Sequence, residues 1–462
     1  MALAILISTY ELGRQPFGLA SPAAWLRRAG AEVICNDTAL QPFDEAAVAR
    51  ATLIGFYLPM HTATRLAAPL IARARALNST ATIVCYGLYG PMNEAHLREL
   101  GADAIIGGEF EAALVDLYRE VGERHGPRDS ERSIAGDEAP STVQRPPSIV
   151  LDRLAFIAPD RADLPPLSEY ATLVLNGQPR VTGYSEASRG CKHTCRHCPV
   201  VPIYGGRFRV VPRDVVLEDI RRQVAAGAQH ITFGDPDFFN GPGHALPLVE
   251  ALHAEHPALT YDVTIKVEHL LAHAALLPTL RATGCALIIS AFEAFDEGIL
   301  NRFAKHHSRA EAALAVALCR EHGLALNPTF VAFTPWTSRA VYIDFLHSIA
   351  ELGLVDAISP IQYAIRLLVP QGSLLLELAD MRALLGPFEQ QALYYPWHHP
   401  DPAMDALQYQ VQTLAAGMAD RGETRQQFFA QIWALATDEA PPPLEHRLPQ
   451  PPIPYLSEPW YC

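Results

Sequence analysis

The stretch Ala187-Ser-Arg-Gly-Cys-Lys-His-Thr-Cys-Arg-His-Cys-Pro199 contains Cys191, Cys195 and Cys198 in the spacing C-x3-C-x2-C. Three thiolates on one short loop can ligate three irons of a four-iron cluster and leave the fourth iron without a protein ligand. That open iron needs a further partner. The loop therefore predicts a metal centre with one free coordination position, and it is the strongest indication of fold and function in the chain.

This cysteine loop resembles that of the radical S-adenosylmethionine (radical SAM) superfamily. In that family the amino and carboxylate groups of SAM fill the open position, and an electron from the cluster breaks the sulfonium bond. The resemblance implies a [4Fe-4S] cluster on Cys191, Cys195 and Cys198, which would be both metal ligands and catalytic residues. It also implies SAM as a cofactor and an electron donor such as flavodoxin or ferredoxin.

A structural zinc site is the alternative of another class. His193 or His197 would complete it, because thiolate and imidazole both suit zinc. Zinc sites usually combine two separated pairs of ligands, and we interpret the chain after the loop as having no second C-x2-C or H-x3-H pair. On this alternative the protein would be a zinc-binding interaction module that does not cleave SAM.

The composition predicts a globular protein that does not bind nucleic acid. The chain has 462 residues, of which 49% are hydrophobic, enough for two to four domains with substantial cores. Its 36 Lys plus Arg against 50 Asp plus Glu give a formal net charge of -14. Since this charge repels phosphate backbones, we expect a small-molecule substrate.

The sequence also predicts a cytoplasmic protein. Met1–Ser8 is apolar without a basic leader, which favours a buried first strand over a signal peptide. No apolar run approaches the roughly 20 residues that span a bilayer, so we expect no membrane association. The other cysteines are scattered without a disulfide framework, as in a reducing compartment; they are Cys35, Cys85, Cys285, Cys319 and Cys462.

Residues 1–122 alternate short apolar runs with helical patterns, which predicts an α/β domain with a doubly wound parallel sheet. Ligands of such sheets bind at the carboxyl ends of the strands, so the loops after those strands are candidates. The predicted strands are Ala2–Ser8, Ala31–Cys35, Thr52–Phe56, Ala81–Cys85 and Asp103–Ile106, and the candidate loops are Pro59–Thr62, Tyr86–Gly90 and Gly107–Glu109.

Three further regions follow along the chain. Residues 123–147 are polar and predict a mobile linker, residues 148–377 predict a partial or full (β/α) barrel, and residues 378–462 predict a helical segment with a proline-rich cysteine tail. The predicted barrel strands are Arg180–Tyr184, Gln229–Phe233, Leu259–Ile265, Ala286–Ser290, Leu326–Phe333 and Ala357–Tyr363.

The resemblance implies SAM contacts at the ends of these strands. His197 holds the place where the superfamily commonly has an aromatic ring beside adenine, and Gly234, Asp235 and Asp237 replace its Gly-Gly-Glu segment. Ser290 and Glu293 lie in a segment that resembles Gly-x-Glu-Ser, followed by a Leu-x-Lys stretch that ends at Lys305. The plain alternatives are a solvent-facing histidine, an Asp-Pro turn and rim residues in salt bridges.

Within the superfamily, residues 1–122 resemble the cobalamin-binding domain that precedes many radical SAM barrels. This implies cobalamin as a third cofactor and methyl transfer to a substrate carbon. The usual Asp-x-His-x-x-Gly is missing, and Tyr86-Gly-Leu-Tyr-Gly90 replaces Gly-Gly-x-His-Pro-Thr. His61 is either a neighbour of the lower cobalt face or, as we expect, a residue that starts a helix.

The segments Phe233–Phe239 and Phe333–Trp336 and the tail Tyr455-Leu-Ser-Glu-Pro-Trp-Tyr-Cys462 resemble the radical SAM subgroup named for a CUAEP or CCAEP tail. Members of that subgroup carry selenocysteine in some cases. We therefore hypothesise that the natural product continues past Cys462 with a selenocysteine encoded by UGA. This resemblance favours a second enzymatic function, a cobalamin-independent rearrangement or sulfur, selenium or arsenic chemistry that uses the tail.

Overall fold

The computed structural model describes residues 2–125, 148–442 and 453–457. The chain divides into two units, the first formed by residues 1–170 with 390–393 and the second by residues 171–389 with 394–462. The strands are β1 (Leu3–Ser8), β2 (Glu32–Asp37), β3 (Leu53–Tyr57), β4 (Thr82–Tyr86), β5 (Ala104–Gly108), β6 (Ser148–Val150), β7 (Thr172–Leu175), β8 (Gln178–Ser185), β9 (Ser188–Gly190), β10 (Phe208–Val210), β11 (His230–Phe233), β12 (Thr260–Thr264), β13 (Cys285–Glu293), β14 (Leu326–Phe330) and β15 (Tyr455–Leu456).

The α-helices alternate with most of these strands. They are α1 (Phe17–Arg28), α2 (Glu45–Arg50), α3 (His61–Leu77), α4 (Tyr89–Met92), α5 (Glu94–Glu99), α6 (Phe110–His125), α7 (Val201–Tyr204), α8 (Arg213–Ala225), α9 (Pro242–Glu255), α10 (Val267–Ala272), α11 (Leu277–Ala282), α12 (Glu297–Phe303), α13 (Arg309–Glu321), α14 (Arg339–Glu351), α15 (Ala379–Arg382), α16 (Pro402–Arg421) and α17 (Arg425–Ala436). Short 3-10 helices cover Leu167–Glu169, Phe238–Asn240, Ala274–Leu276, Pro360–Tyr363 and Leu374–Glu377. None of the described helices is long and apolar enough to cross a membrane.

The first unit is built on a six-stranded parallel sheet with the order β2-β1-β3-β4-β5-β6. Its strands are apolar on both faces because α1 and α6 pack on one face and α2, α3 and α5 on the other. This confirms the predicted doubly wound sheet. The strand order reverses between β1 and β3, and ligands of such sheets bind in the crevice at this switch point.

The predicted linker, residues 123–147, lies outside the described residues except at its start, where residues 123–125 end α6. Residues 148–150, predicted as the start of the barrel domain, form β6 and extend the first sheet next to β5. A run of three residues that follows a polar segment carries too little periodicity to show which sheet it joins.

The second unit contains a seven-stranded sheet with the order β14-β13-β12-β11-β8-β7-β15. Strands β8 and β11 to β14 are parallel, whereas β7 and β15 are antiparallel to their neighbours. Five parallel strands with intervening helices form the partial barrel that the sequence predicts. The two helices α16 and α17 confirm the predicted helical segment near the end of the chain.

The predicted strand Ala357–Tyr363 was wrong. The segment ends in the 3-10 helix Pro360–Tyr363, whose proline has no N–H to donate to a ladder. The side chain of Gln362 accepts a hydrogen bond from the Phe330 N–H at 2.8 Å. This side chain therefore pairs with the end of β14, in the place where we expected the backbone of a sixth strand.

Candidate active site

The cysteine loop begins directly after β9 and lies between β9 and β10, which pair antiparallel as a hairpin. Gly190, the last residue of β9, has a φ of 73°, in the left-handed region that favours glycine. A Cβ here would lie 2.4 Å from the Arg207 carbonyl oxygen and 2.5 Å from the ring of Tyr204. The hairpin therefore needs glycine immediately before Cys191. Gly190 was not singled out from the sequence.

Hydrogen bonds fix the loop to the elements around it. The Lys192 N–H donates to Asn240 Oδ1 at 3.1 Å, and the Arg196 N–H donates to the Phe303 carbonyl at 3.0 Å. The Arg196 guanidinium donates to the carbonyls of Asn301 and Arg302 at 3.1 Å each. Arg196 thus anchors the loop to the end of α12.

The three loop cysteines are free thiols, with Cys195 buried and Cys191 and Cys198 half-buried. Burial raises the pKa of Cys191, and it raises the pKa of Cys198 to about 12 although the charge of Lys305 acts in the opposite direction. These thiols stay protonated at neutral pH until a metal supplies compensating positive charge. The donor set, three adjacent sulfurs that ionise on metal binding, fits an iron–sulfur cluster.

The two loop histidines face carboxylates. His197 Nε2 lies 3.0 Å from Glu293 Oε1, and His193 Nε2 lies 3.3 Å from Asp237 Oδ2. Among the described residues, the group of His, Cys, Asp and Glu side chains close enough to share one ion is His193, Asp237 and His269, and it includes no cysteine. This arrangement argues against a cysteine zinc site completed by either histidine.

His197, Glu293 and Lys305 form a cluster beside the cysteine loop. Lys305 Nζ lies 3.3 Å from Glu293 Oε1, the oxygen that also contacts His197, and the Lys305 side chain is 3% exposed. The ring of His197 packs on Phe303 with 4.5 Å between centroids. Sequence similarity pointed to His197, Glu293 and the Leu-x-Lys stretch separately, and the structure brings them together.

Glu293 ends β13 in an unusual backbone conformation. Its φ is 67°, and the pairing of β13 with β14 shifts between Ala291 and Glu293. Burial disfavours its charge, but Lys305 and His197 outweigh burial and lower the pKa of Glu293 to about 2. A non-glycine residue with positive φ is strained, and such strain concentrates at functional sites. Glu293 is therefore an ionised carboxylate in a nearly dry pocket.

Several buried polar atoms near these strands have no hydrogen-bond partner among the described residues. They include Ser290 Oγ, Asn327 Oδ1 and His197 Nδ1, whereas the ring of His307 hydrogen-bonds to the Phe292 backbone. Burial and the charges of Lys305 and Lys266 lower the pKa of His307 to about 4, so its ring is neutral. Buried polar groups are nearly always paired in proteins, so this set indicates a polar ligand. The residues present fit SAM, which offers ammonium, carboxylate, ribose and adenine groups.

Gly234 and Asp235 have structural roles at the end of β11. A Cβ on Gly234 would lie 1.7 Å from the Tyr184 hydroxyl oxygen, so only glycine allows this approach. Asp235 accepts hydrogen bonds from the Ser188 hydroxyl and from the Ala187 N–H, the latter at 2.9 Å, and burial raises its pKa to about 7. Asp235 thus supports the strand that leads into the cysteine loop.

Asp237 contacts a different set of residues from that of Glu293. Its Oδ1 accepts a hydrogen bond from the Phe239 N–H at 3.0 Å, and its Oδ2 faces His193 and His269. His269 was not predicted as a site residue. The interpretation that no second ligand pair follows the cysteine loop was wrong, because His269 and His273 form H-x3-H, a signal typical of zinc ligands that would have found His269.

In the first unit, the switch point between β1 and β3 holds one buried polar atom without a described partner, Ser8 Oγ at the end of β1. His61 begins α3, as expected for a helix-start histidine. Its Nε2 lies 2.6 Å from the Ala392 carbonyl oxygen, which can only accept, so Nε2 carries the proton.

A family model for the radical SAM superfamily matches residues 185–335. The matched region runs from the end of β8 past β14 and contains the cysteine loop and Glu293. This part of the chain belongs to the radical SAM superfamily. Its cysteine loop and partial barrel agree with the family that the sequence resembles, and this radical SAM region occupies the second unit.

Curated relatives match parts of this radical SAM protein. The chain is 25% identical over 238 residues to the hopanoid C-3 methylase of Methylococcus capsulatus, a match that covers 51% of the chain and 43% of the relative. It is 32% identical over 131 residues to the tRNA-2-methylthio-N(6)-dimethylallyladenosine synthase of Chloroflexus aurantiacus, which covers 27% of each protein. The chain thus spans less than half the length of these relatives.

Solved structures match the fold over most of the chain. The radical SAM methyltransferase TsrM from Kitasatospora setae, with cobalamin and a [4Fe-4S] cluster bound, matches at a TM-score of 0.66 and 14% identity, covering 94% of this chain and 99% of TsrM. The cobalamin-dependent SAM radical enzyme OxsB, with aqua-cobalamin and SAM bound, matches at a TM-score of 0.69 and 12% identity, covering 94% of this chain and 70% of OxsB. At this identity the likeness shows the fold.

Proposed function

We propose that this radical SAM enzyme is a cobalamin-dependent methyltransferase that acts on a small molecule. The observation that carries the proposal is the three-cysteine loop beside an ionised, buried Glu293 in a two-unit fold like that of TsrM and OxsB. Both of those proteins are described with cobalamin bound, and TsrM is also described with a tryptophan substrate.

Some residues of the second unit would hold the cluster, and others would bind SAM. When bound, the cluster would reduce SAM to methionine and a 5′-deoxyadenosyl radical, and cobalamin would supply a methyl group. Cys191, Cys195 and Cys198 would hold the cluster. Ser290 and Asn327 would donate or accept hydrogen bonds to SAM through atoms that otherwise have no described partner.

Glu293 is the best placed acid for SAM. A carboxylate in a poorly hydrated pocket binds an ammonium or ribose hydroxyl groups strongly. Lys305 keeps Glu293 ionised, and His197 orients it through Nε2. Asp235, another predicted acid at a strand end, accepts protein hydrogen bonds on both of its oxygens, whereas the two contacts with Glu293 are both to Oε1. The proposal therefore assigns SAM binding to Glu293 and structural support to Asp235.

Cobalamin would bind in the first unit at the crevice between β1 and β3, where Ser8 Oγ could bond to it. The residues fit a cobalamin whose lower face has no imidazole from the candidate loops. His61 is the histidine of those loops, and its Nε2 proton is committed to the Ala392 carbonyl. The chain's residues here would bind and orient the group and exclude water from it.

The aromatic packing around Tyr86 in the first unit favours a second function, radical chemistry without cobalamin. The rings of Tyr57, Tyr86 and Phe110 pack together in the core of the first unit with centroids 4.9 to 5.9 Å apart. Tyr86 begins the segment that replaces the cobalamin-domain motif. On this alternative the enzyme belongs to the CUAEP/CCAEP-tail subgroup and uses Cys462, which lies outside the described residues, for sulfur, selenium or arsenic chemistry.

The proposal includes a reducing, cytoplasmic environment and an electron donor such as flavodoxin or ferredoxin. All cysteines that the structure describes are free thiols, as the cytosol would keep them. The net charge of -14 supports a small molecule over a nucleic acid as substrate.

The test compares anaerobically reconstituted wild type with Cys195→Ala. We expect about four irons per wild-type chain, one bound cobalamin, and 5′-deoxyadenosine formation from SAM with dithionite. Cys195→Ala should lose the cluster and all SAM cleavage, whereas the control Cys319→Ala, a buried thiol in α13, should keep both. Wild type with iron and SAM cleavage but no cobalt would favour the second function. Wild type without iron would refute both functions.

A further inference from the structure

Three metal-ligating side chains meet next to the cysteine loop without using its cysteines. His193 comes from the loop itself, Asp237 from the turn after β11, and His269 from α10. One ligand atom from each lies within 4.8 Å of the other two. They come from three separate elements of the second unit, so the fold and not sequence proximity gathers them.

The three facing atoms are buried and make no hydrogen bond to the described residues. They are His193 Nε2, Asp237 Oδ2 and His269 Nδ1. The Asp237 side chain is 2% exposed, and those of His193 and His269 are 11% and 14% exposed. A buried carboxylate oxygen needs positive charge beside it, which a cation bound between the three atoms would supply.

The alignment of the three groups, more than their separations, suits a shared ion. His269 Nδ1 lies 2.7 Å and His193 Nε2 lies 3.3 Å from Asp237 Oδ2, and both pairs are poorly aligned for a hydrogen bond. Two ligands each about 2.1 Å from one tetrahedral metal are about 3.4 Å apart, close to the His193–Asp237 distance, so only the His269–Asp237 contact would have to lengthen on metal binding.

We propose that His193, Asp237 and His269 form a mononuclear site for a divalent transition metal, separate from the iron–sulfur cluster. Two imidazoles and one carboxylate are ligands typical of Zn²⁺ and Fe²⁺. Three protein ligands leave at least one position for water or another small ligand. The metal would tie the cysteine loop to the turn after β11 and to α10.

Charged side chains also lie behind His193 and bear on its tautomer. Glu268 Oε2 lies 3.6 Å from His193 Nδ1, and Lys266 Nζ lies 3.1 Å from the same Glu268 oxygen and 3.2 Å from His193 Nδ1. Because the Lys266 ammonium can only donate, His193 Nδ1 accepts from it and Nε2 carries the proton in this structure. A metal on Nε2 would move that proton to Nδ1, which faces Glu268, and would leave Lys266 paired with Glu268 alone. A carboxylate behind a metal-bound histidine is a common outer-shell partner. Asp237 is likewise oriented by the Phe239 N–H on its other oxygen.

The experiment uses the full chain with Cys191, Cys195 and Cys198 replaced by alanine, so that no cluster or thiolate competes for zinc. Isothermal titration with Zn²⁺, followed by metal analysis after gel filtration, should give one bound zinc per chain. Adding His269→Ala should weaken zinc binding by more than the about 10- to 100-fold that loss of an outer-shell partner costs. His322→Ala, in a histidine at the end of α13, is the matched control and should bind as the parent does.

Circular dichroism checks that each variant is folded, and His193→Gln gives a second, independent removal of a ligand. The proposal is overturned if the parent binds no zinc, or if both His269→Ala and His193→Gln bind zinc as tightly as the parent does. Because no variant in this series contains the cluster, the result does not depend on SAM cleavage.

Discussion

Glu293 combines a positive φ, nearly complete burial and a negative charge at the end of β13. Each of these is unfavourable by itself, at about 1 to 3 kcal/mol for the backbone and several kcal/mol for an unpaired buried charge. Lys305 and His197 offset the charge, and the register shift against β14 accommodates the backbone. A residue held in this way is expected to act on the ligand, so it is the most informative one to substitute.

Replacing Glu293 by glutamine keeps the shape and removes the charge. We expect the rate of 5′-deoxyadenosine formation to fall at least about tenfold, because one lost charge-assisted hydrogen bond is equivalent to about 1.5 to 3 kcal/mol. Iron content should stay at the wild-type value. Glu250→Gln, in an exposed residue of α9, is the control and should react as wild type. An unchanged rate in Glu293→Gln would contradict the role assigned to Glu293.

The same variant tests the charge of Glu293 through the pH dependence of stability. The folded pKa of about 2 lies below the ordinary value of 4.5, so ionised Glu293 stabilises the fold above about pH 5 and loses that effect as pH falls toward 2. We expect wild type to exceed Glu293→Gln by on the order of 3 kcal/mol in free energy of unfolding at pH 7, and the difference to shrink steadily below pH 4.5. Urea unfolding of both proteins between pH 7 and 3 measures it. A constant difference over this range would contradict the low pKa.

The cysteines were predictable because their spacing alone encodes the chemistry, and Glu293 was predictable from similarity in a short segment. Asn240 and His307 were not, since Asn240 contacts Cys191 and Lys192 from 48 to 49 positions away along the chain and no local pattern marks it. The two aspartates after β11 could not be separated by sequence. Only their partners, Ser188 for Asp235 and the two histidines for Asp237, distinguish them.

At the scale of elements, the apolar runs located the parallel strands of both sheets, since strands covered on both faces are apolar throughout. The hairpin of β7 and β8 was missed although its Asn176-Gly177 turn, with φ of 52° and 75°, is a strong local signal. Residues 357–363 were predicted as a strand because they are largely apolar, but this apolar content reflects burial of a segment that ends in a 3-10 helix. Apolar content therefore locates core segments more reliably than it identifies their backbone conformation.

Gly190→Ala tests whether the β9–β10 hairpin positions the first cysteine. The new methyl group would clash with the Arg207 carbonyl oxygen at 2.4 Å, so we expect Cys191 to shift and the iron content after reconstitution to fall by at least half. Gly205→Ala is the matched control, because Gly205 also has a positive φ, 55°, but open space around its Cβ position. It should cost only about 1 kcal/mol of stability and keep its iron. Equal iron content in the two variants would contradict the role of the hairpin.

At the scale of the whole molecule, each unit has its own apolar core. Removing iron from the oxidised protein with a chelator should therefore increase amide hydrogen exchange in residues 187–210, which surround the cluster ligands. Exchange in β1, β3 and β4 of the first unit should stay the same. Hydrogen–deuterium exchange read by mass spectrometry measures both, and Cys195→Ala should show the fast exchange without any chelator. Equal exchange in residues 187–210 before and after chelation would contradict the prediction.

The short strand β15 pairs with β7, and the Ser457 N–H donates to the Thr172 carbonyl at 2.8 Å. This pairing covers an open strand that would otherwise be a template for self-association, so truncation before residue 453 should promote aggregation. It also fixes the point from which the last five residues start. Five residues span at most about 18 Å when fully extended. Any reaction partner of Cys462 must therefore come within that radius of Ser457. The position of Ser457 thus limits which groups the Cys462 thiol can reach.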